Sequence, residues 1–364
     1  MRILQIIETG GPGGAETIFA GLADSLVKRG HTVTCMTGEG SWLPQEMARR
    51  ALTASLIENR GALDLALLSR MRQTLRQQRI ELVHAHLFDG ALYAAIAARL
   101  EGVPCVATLH GQVDVARHGL KAWVKQRVFA HAITCVVTVS ASLQQDLRGA
   151  LRLPDAKLRV IPNGIERQFR ARVDDASDAL TAPRLVAVGN VRQPKDYPTL
   201  IEALGIIRVT FPDVHLDIAG EPDRDGLFVA LKAHVTARQL ESHVTFHGFL
   251  ADPAPLLARA DCYVLSSSRE GFSLTTIEAM LAGVPVVATR SGGPQEILRD
   301  GETGLLTPVG DPVALATAVV RMLQDRTLAM QCRLSAQTDA ASRYAMSGMV
   351  TAYEQLYGEL LANG

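Results

Sequence analysis

The sequence predicts an α/β protein built of two Rossmann-like, doubly wound domains facing each other across an interdomain cleft. Three observations lead there. A length of 364 residues is about twice that of an ordinary domain. Short β-branched runs alternate with amphipathic stretches along most of the chain, the order expected of parallel sheets covered by helices on both faces. That series also begins twice, each time with a strand running into a glycine-containing loop: Gly10-Gly11-Pro12-Gly13-Gly14, then Gly189-Asn190-Val191-Arg192. Open sheets of this kind collect ligands at the carboxyl ends of their strands, near the switch in strand order.

The first series reads as a strand at residues 3–7, a helix at 16–29 ending before Gly30, and strands at 31–36, 82–86, 104–109, 133–139 and 159–161. Helices at 91–100 and 120–130 separate some of these strands. Residues 165–183 are polar, without a strand period, and read as a connector. Strands at 185–189, 214–220, 244–247, 262–266, 284–288 and 304–306 form the second series, with helices at 198–209, 226–238 and 275–282. A last helix at 346–361 carries one apolar stripe, Met349, Val350, Tyr353, Leu356, Tyr357, Leu360 and Leu361, which needs a partner surface. The expected domains are 1–168, with 346–364 packing back on it, and 169–345.

Composition excludes several classes. The 37 Lys and Arg balance 37 Asp and Glu, so a globally basic nucleic-acid binder is ruled out. At 48% hydrophobic and 20% charged, the chain is not mainly disordered. The apolar run at 91–98 is among the longest, well short of the roughly 20 residues of a membrane helix. The start of the chain lacks a signal-peptide profile. Five scattered cysteines (35, 105, 135, 262, 332) form no CxxC pair, which argues against a disulfide framework or a zinc site. A reducing, cytoplasmic address is expected.

The zero net charge is a cancellation. Residues 1–180 hold 22 basic and 17 acidic groups, a net of +5, and residues 181–364 hold 15 and 20, a net of −5. Residues 49–127 alone carry 12 basic against 6 acidic groups. Arg70, Arg72, Arg76 and Arg79 cluster in one predicted helix, and Lys121, Trp123, Lys125 and Arg127 in another. These are either solvated helix faces or a contact with an anionic inner-membrane surface or a pyrophosphate-bearing acceptor.

Chemistry concentrates in SSREGFSLTTIEAMLAG, residues 267–283. Glu270 precedes a helix capped by Ser273, and Glu278 lies in that helix eight positions on. The amides of Phe272, Ser273 and Leu274 make a cradle for a diphosphate, and a carboxylate beside them suits sugar hydroxyls. Arg192 and Lys195, in the loop after Gly189 and Asn190, are placed to neutralise a diphosphate, whose charge grows as it leaves. The same two cations also read as an ordinary exposed loop pair. Asp196 is positioned to cap the helix that follows. His84, His86 and His110 close strands at the ligand-bearing edge, where a histidine is either structural or substrate-positioning. No acidic or histidine spacing marks a metal site.

Taken together, these pieces resemble glycosyltransferase family 4. The resemblance rests on Gly13-Gly14-Ala15-Glu16, His110-Gly111, Val139-Ser140, Ile161-Pro162-Asn163-Gly164, Arg192 with Lys195, Glu270 and Glu278 with seven residues between them, and Gly301-Glu302-Thr303-Gly304. They span essentially the whole chain in family order. The resemblance implies a retaining, GT-B-fold enzyme using a nucleotide-diphosphate sugar. Glu270 would hold donor-sugar hydroxyls and Glu278 the ribose. Arg192, Lys195, Gly14 and the amides of residues 272–274 would grip the diphosphate, and His110 would border donor sugar and acceptor. Asn190 departs from the family's usual arginine, with Arg192 the candidate to replace its charge. The loop at 247–252, with Phe249, is expected near the base, and Gln295 near the nucleotide or sugar.

The implied chemistry is front-face substitution, in which the departing diphosphate takes the acceptor proton and no metal or other cofactor is required. A UDP-sugar is favoured over a GDP-sugar, and a glycan or lipid-pyrophosphate over other acceptors. Two other readings stay open at this stage: a GT-B-fold UDP-sugar epimerase, and a non-catalytic nucleotide-sugar-binding protein.

Overall fold

Every named strand pairs in parallel with its neighbours, in two separate sheets. The computed structural model describes residues 1–57, 64–111, 119–166, 182–223 and 225–363. The chain divides into two compact units, Met1–Glu166 with Ala345–Gly364, and Arg167–Tyr344. Most of the connector read at 165–183 lies outside the described residues.

In the first unit the elements are β1 (Arg2–Ile7), α1 (Gly14–Lys28), β2 (Thr32–Thr37), α2 (Trp42–Arg49), β3 (Ala54–Leu56), α3 (Leu65–Gln77), β4 (Leu82–His86), α4 (Phe88–Glu101), β5 (Cys105–Leu109), α5 (Leu120–Ala132), β6 (Cys135–Thr138), α6 (Ala141–Leu151) and β7 (Leu158–Val160). They form a seven-stranded sheet in the order β3-β2-β1-β4-β5-β6-β7, which reverses direction at β1 and β4. β1, β4, β5 and β6 are almost wholly buried, as strands covered on both faces must be.

The second unit contains β8 (Arg184–Val188), α7 (Tyr197–Thr210), β9 (His215–Ala219), α8 (Leu227–Ala237), β10 (Val244–Gly248), α9 (Ala254–Leu257), β11 (Cys262–Leu265), α10 (Leu274–Leu281), β12 (Val286–Thr289), α11 (Pro294–Ile297), β13 (Leu305–Thr307), α12 (Pro312–Gln324) and α13 (Arg326–Arg343). Its six-stranded sheet runs β10-β9-β8-β11-β12-β13, with the reversal between β8 and β11.

The final helix, α14 (Met346–Ala362), belongs to the first unit. Met349, Val350, Tyr353, Leu356 and Tyr357 are buried, while Leu360 and Leu361 at the fraying end are half-buried. Burying an apolar side chain of this size contributes about 1.5–3 kcal/mol, so the stripe is a substantial anchor. Polar bonds pin the outer side, where Arg29 and His31 both reach the carboxylate of Glu354, at 2.5 and 2.8 Å.

Three local readings are corrected. Asp196 stands at the start of α7, but its carboxylate takes the hydroxyl of Thr199 at 2.7 Å and caps no backbone amide. Its backbone is left-handed, φ 47°, unlike the extended one from which Ser273 and Asp64 cap their helices. Arg79 lies beyond the end of α3 in a left-handed turn, so it does not share a helix face with Arg70, Arg72 and Arg76. Arg72 and Arg76 are both held by Glu101, at 2.6 Å each, and Lys125 by Asp89 at 2.8 Å. Much of the basic run is therefore neutralised by acids from other parts of the fold.

Candidate active site

The two loops that carry the predicted residues leave β8 and β11, the two strands flanking the switch in strand order. After β8 the chain zips onto the loop after β9. Gly189 N–H donates to Ala219 at 2.8 Å, Val191 N–H to Glu221 at 2.9 Å, and Glu221 N–H to the Asn190 carboxamide oxygen at 2.9 Å. A side chain at Gly220 would sit 1.9 Å from the Gly189 carbonyl, so glycine there permits the close approach. Gly189 clears room in its turn, since an added Cβ would lie 2.8 Å from Cε of Lys195. Asn190 thus braces the loop, and the charge for an anion comes from elsewhere.

Lys195 is drawn against the loop after β11 by three serines. Ser266 donates its hydroxyl to the Lys195 carbonyl at 2.9 Å, and Ser268 N–H donates to the Pro194 carbonyl at 2.7 Å. The Lys195 ammonium then reaches Glu270 at 2.7 Å, where Ser267 donates a second hydrogen bond to the same carboxylate oxygen at 3.1 Å. The backbone of Glu270 is clamped as well: its N–H donates to Ser291 and its carbonyl accepts from Gly293, both at 2.8 Å. Side chain and backbone are therefore both fixed, the condition for a preorganised site. Arg192 is exposed and makes no ion pair with a described residue.

Ser273 caps α10, its hydroxyl accepting from Thr276 N–H at 3.3 Å. The amide groups at this terminus belong to a helix whose dipole favours an anion. Phe272 packs edge-on against Tyr344 with ring centroids 5.7 Å apart, which holds the turn into Leu274. Glu278 lies half-buried in the second turn of α10. Tyr263, beneath it on β11, donates or accepts at Thr275 over 2.7 Å. Its phenol is pushed above the ordinary range by burial, with the charges of Glu270 and Glu278 adding to the effect. Both carboxylates therefore lie within electrostatic reach of one buried ring. Phe249 follows β10 on the same sheet edge and is exposed.

In the first unit, Gly13 precedes α1 in an extended conformation and Gly14 opens it. An added Cβ on Gly13 would lie 2.3 Å from the carboxylate of Glu16, which folds back to accept from Thr9 at 2.6 Å. That packing already requires a glycine at this position. His110 follows β5, and its Nε2 lies 3.0 Å from Nδ1 of His86. His84 is committed to structure, bonding Tyr357 at 2.6 Å and Thr108 at 2.8 Å. Burial holds all three imidazoles neutral: His84 is lowered to about 3, His110 to about 4, and His86 well below the usual value. The supporting serines 266–268 and the partner histidine His86 received no specific role from sequence. The only signal was a polar run directly after a buried strand, and a histidine two positions from another. Among the described residues, no group of three His, Cys, Asp or Glu side chains is placed to hold a metal ion.

Comparison with known proteins gives this geometry a family. Residues 12–169 match the model of Glycosyltransferase Family 4, and residues 182–325 that of Glycosyl transferases group 1. The N-acetyl-alpha-D-glucosaminyl L-malate synthase of Bacillus anthracis is 26% identical over 366 residues, 96% of this chain and 94% of that protein. Glycogen synthase of Mycobacterium tuberculosis is 31% identical over 300 residues, 78% of this chain and 70% of that protein. The crystal structure of Anabaena HepE in complex with UDP and glucose matches with a TM-score of 0.86 at 22% identity, covering 99% of this chain and 100% of that one. Both halves match in order and the two-sheet architecture is reproduced, so the chain belongs to glycosyltransferase family 4 and is a GT-B-fold glycosyltransferase that uses a nucleotide sugar.

Proposed function

We propose that the enzyme is a retaining hexosyl- or N-acetylhexosaminyltransferase. It moves the sugar from a UDP-sugar, a GDP-sugar being the alternative donor, to a glycan or lipid-linked acceptor in cell-surface polysaccharide or glycoconjugate synthesis. The observation that carries this reading is the Lys195–Glu270 pair, 2.7 Å apart and braced by three serines at the switch point. Glu270 accepts hydrogen bonds from donor-sugar hydroxyls, while Lys195, Arg192 and the amides of residues 272–274 take the diphosphate. Glu278 binds the ribose, Phe249 flanks the base, and Gly13, Gly14 and His110 complete the donor's surroundings. Anabaena HepE was solved with UDP and glucose, which supports a uridine donor.

In the reaction, the bond between the sugar's anomeric carbon and the diphosphate oxygen breaks. The acceptor oxygen bonds that carbon from the same face, and its proton passes to the departing diphosphate. Two cations and a helix terminus stabilise the growing negative charge, so we propose no divalent ion. The test is nucleoside diphosphate release from UDP-sugars with and without candidate acceptors, in EDTA. Release that rises with acceptor, giving a product of unchanged anomeric configuration, is expected. Donor consumption that ignores acceptor would overturn transfer in favour of epimerisation.

For the acceptor, α5 is the informative element. Its sequence, LKAWVKQRVFAHA, contains no acid, and Leu120, Trp123, Val124 and Val128 stand exposed along one stripe, Leu120 at 77%. Lys121 and Arg127 are exposed beside them and make no ion pair with a described residue. A helix with an apolar stripe flanked by cations suits an anionic bilayer surface. We therefore place the protein in the cytoplasm, peripheral to the inner membrane, near a lipid-pyrophosphate acceptor. No described helix is long and apolar enough to cross a membrane. Changing Lys121 and Arg127 to Glu should weaken binding to vesicles containing phosphatidylglycerol by at least about tenfold. Lys125→Glu, at a cation already paired with Asp89, should weaken it less. Undiminished vesicle binding in the double variant would favour a soluble acceptor.

A further inference from the structure

Three imidazoles stand in a row on one face of the first unit's sheet, and one nitrogen among them has no partner. His84 and His86 project from the same face of β4, and parallel register sets His86 beside Thr108 of β5. His84 is saturated by Tyr357 and Thr108. His86 is fully buried, stacks on His84 and His110 with centroids at 4.4 and 5.3 Å, and meets Phe19 edge-on. Its Nδ1 lies 3.0 Å from Nε2 of His110, whereas its own Nε2 is buried and bonded to nothing.

That orphan decides where the protons sit. A neutral imidazole carries one N–H, and a buried N–H without an acceptor is the rarer and costlier arrangement. The proton of His86 therefore belongs on Nδ1, where it has an acceptor, and the bare lone pair on Nε2. His110 Nε2 must then be the acceptor, which leaves the proton of His110 on Nδ1. The local backbone supports a held geometry. Leu87, directly after His86, has φ 65° and ψ 172°, a region nearly closed to residues with a side chain. Such strain persists where the surroundings over-determine the conformation. Here Leu87 N–H is tied to Thr108 at 3.0 Å.

We propose that His86 is the positioning residue of His110: it donates Nδ1–H to His110 Nε2, so that His110 keeps its proton on Nδ1 and its basic lone pair is already taken. His110 then does not abstract the acceptor proton. This rests on the reading that His110 borders the donor sugar, while the tautomer itself stands apart from that reading.

The experiment is ring nitrogen-15 NMR of histidine-labelled protein near neutral pH, with His110→Gln to assign the signals. The wild type should show a protonated Nδ1 and an unprotonated Nε2 at His110. His86→Asn, whose amide N–H takes the place of Nδ1–H, should preserve that pattern, and His86→Leu should release His110 toward the Nε2–H form. In turnover, His86→Leu should lose about tenfold in kcat with the acceptor KM unmoved, and His86→Asn should stay within about threefold. A wild-type His110 protonated on Nε2 overturns the proposal, whatever the variants do and whether or not His86→Leu folds. The expected tautomer combined with unchanged turnover in a folded His86→Leu would instead overturn the placement of His110 at the donor.

Discussion

Replacing Lys195 by alanine is expected to lower kcat by about 10²–10³-fold, the usual loss when one preorganised partner of a developing oxyanion is removed. The reason is in the loop. Gly189 is small so that Lys195 can pass over it, the serines at 266 and 268 hold the loop's backbone, and Glu270 receives the ammonium at 2.7 Å. On the proposed mechanism, negative charge at the diphosphate increases as its bond to the anomeric carbon breaks, so the cation should matter more in the transition state than in binding. The donor KM should therefore change less than kcat. Stability should hardly move, because a partly exposed ion pair contributes at most about 1 kcal/mol. Arg192→Ala makes the useful comparison: exposed and without an ion-pair partner among described residues, it should lower kcat less than Lys195→Ala does. Steady-state kinetics at saturating acceptor separate the two. Unchanged turnover in Lys195→Ala would remove its leaving-group role.

The second large effect is acid unfolding of the first unit. Burial holds His84 near 3 and His110 near 4, with His86 also lowered, against about 6.5 for an unfolded histidine. Between these values the unfolded chain binds more protons than the folded one. These folded values are depressed, so the stabilisation is complete above about pH 6.5 and is lost as pH falls toward 4. Each histidine costs about 1.4 kcal/mol per pH unit in that window, so three together cost about 4. Domain stabilities run to roughly 5–15 kcal/mol, so a fall of two pH units removes most of the margin. Both tryptophans, Trp42 and Trp123, lie in this unit, which lets fluorescence report it selectively. Urea unfolding at pH 7, 6 and 5 should show a steep decline, shallower by about one proton in His84→Gln. A stability that stays flat from pH 7 to 5 would contradict neutral burial of the cluster.

The strands were legible because parallel sheets bury both faces. Continuous β-branched runs such as Leu82–His86 betray themselves, and their edges fell within a residue or two of the observed bounds. β3 was not, since its three residues Ala54–Leu56 are all exposed at the sheet's edge and carry no pattern. Capping by Ser273 was readable from residue type, whereas Asp196 shows that type alone does not fix the direction of a carboxylate. Spacing placed Glu270 before its helix but could not reveal its partner Lys195, 75 positions away. Charge counting failed for the same reason. It registers Arg72, Arg76 and Lys125 as a basic surface, while pairing with Glu101 and Asp89 is a property of the folded chain. The net charge of zero excluded a globally basic protein, and Lys121 and Arg127 on α5 are members of the basic run that make no ion pair with a described residue.

The second unit is expected to bind a nucleotide-diphosphate sugar through Lys195, Glu270 and Glu278. Thermal unfolding in the presence of UDP-, GDP- and ADP-sugars tests it most directly. A ligand at about 100 times its Kd adds roughly 2.7 kcal/mol, which for a unit of this size raises Tm by about 5–10 °C. UDP-sugars are expected to give that rise, Lys195→Ala to lose a smaller part of it, and the Lys195→Ala, Glu278→Ala double variant to lose most of it. No rise with any of the three classes, or a rise that survives both substitutions, would contradict the assignment of the site.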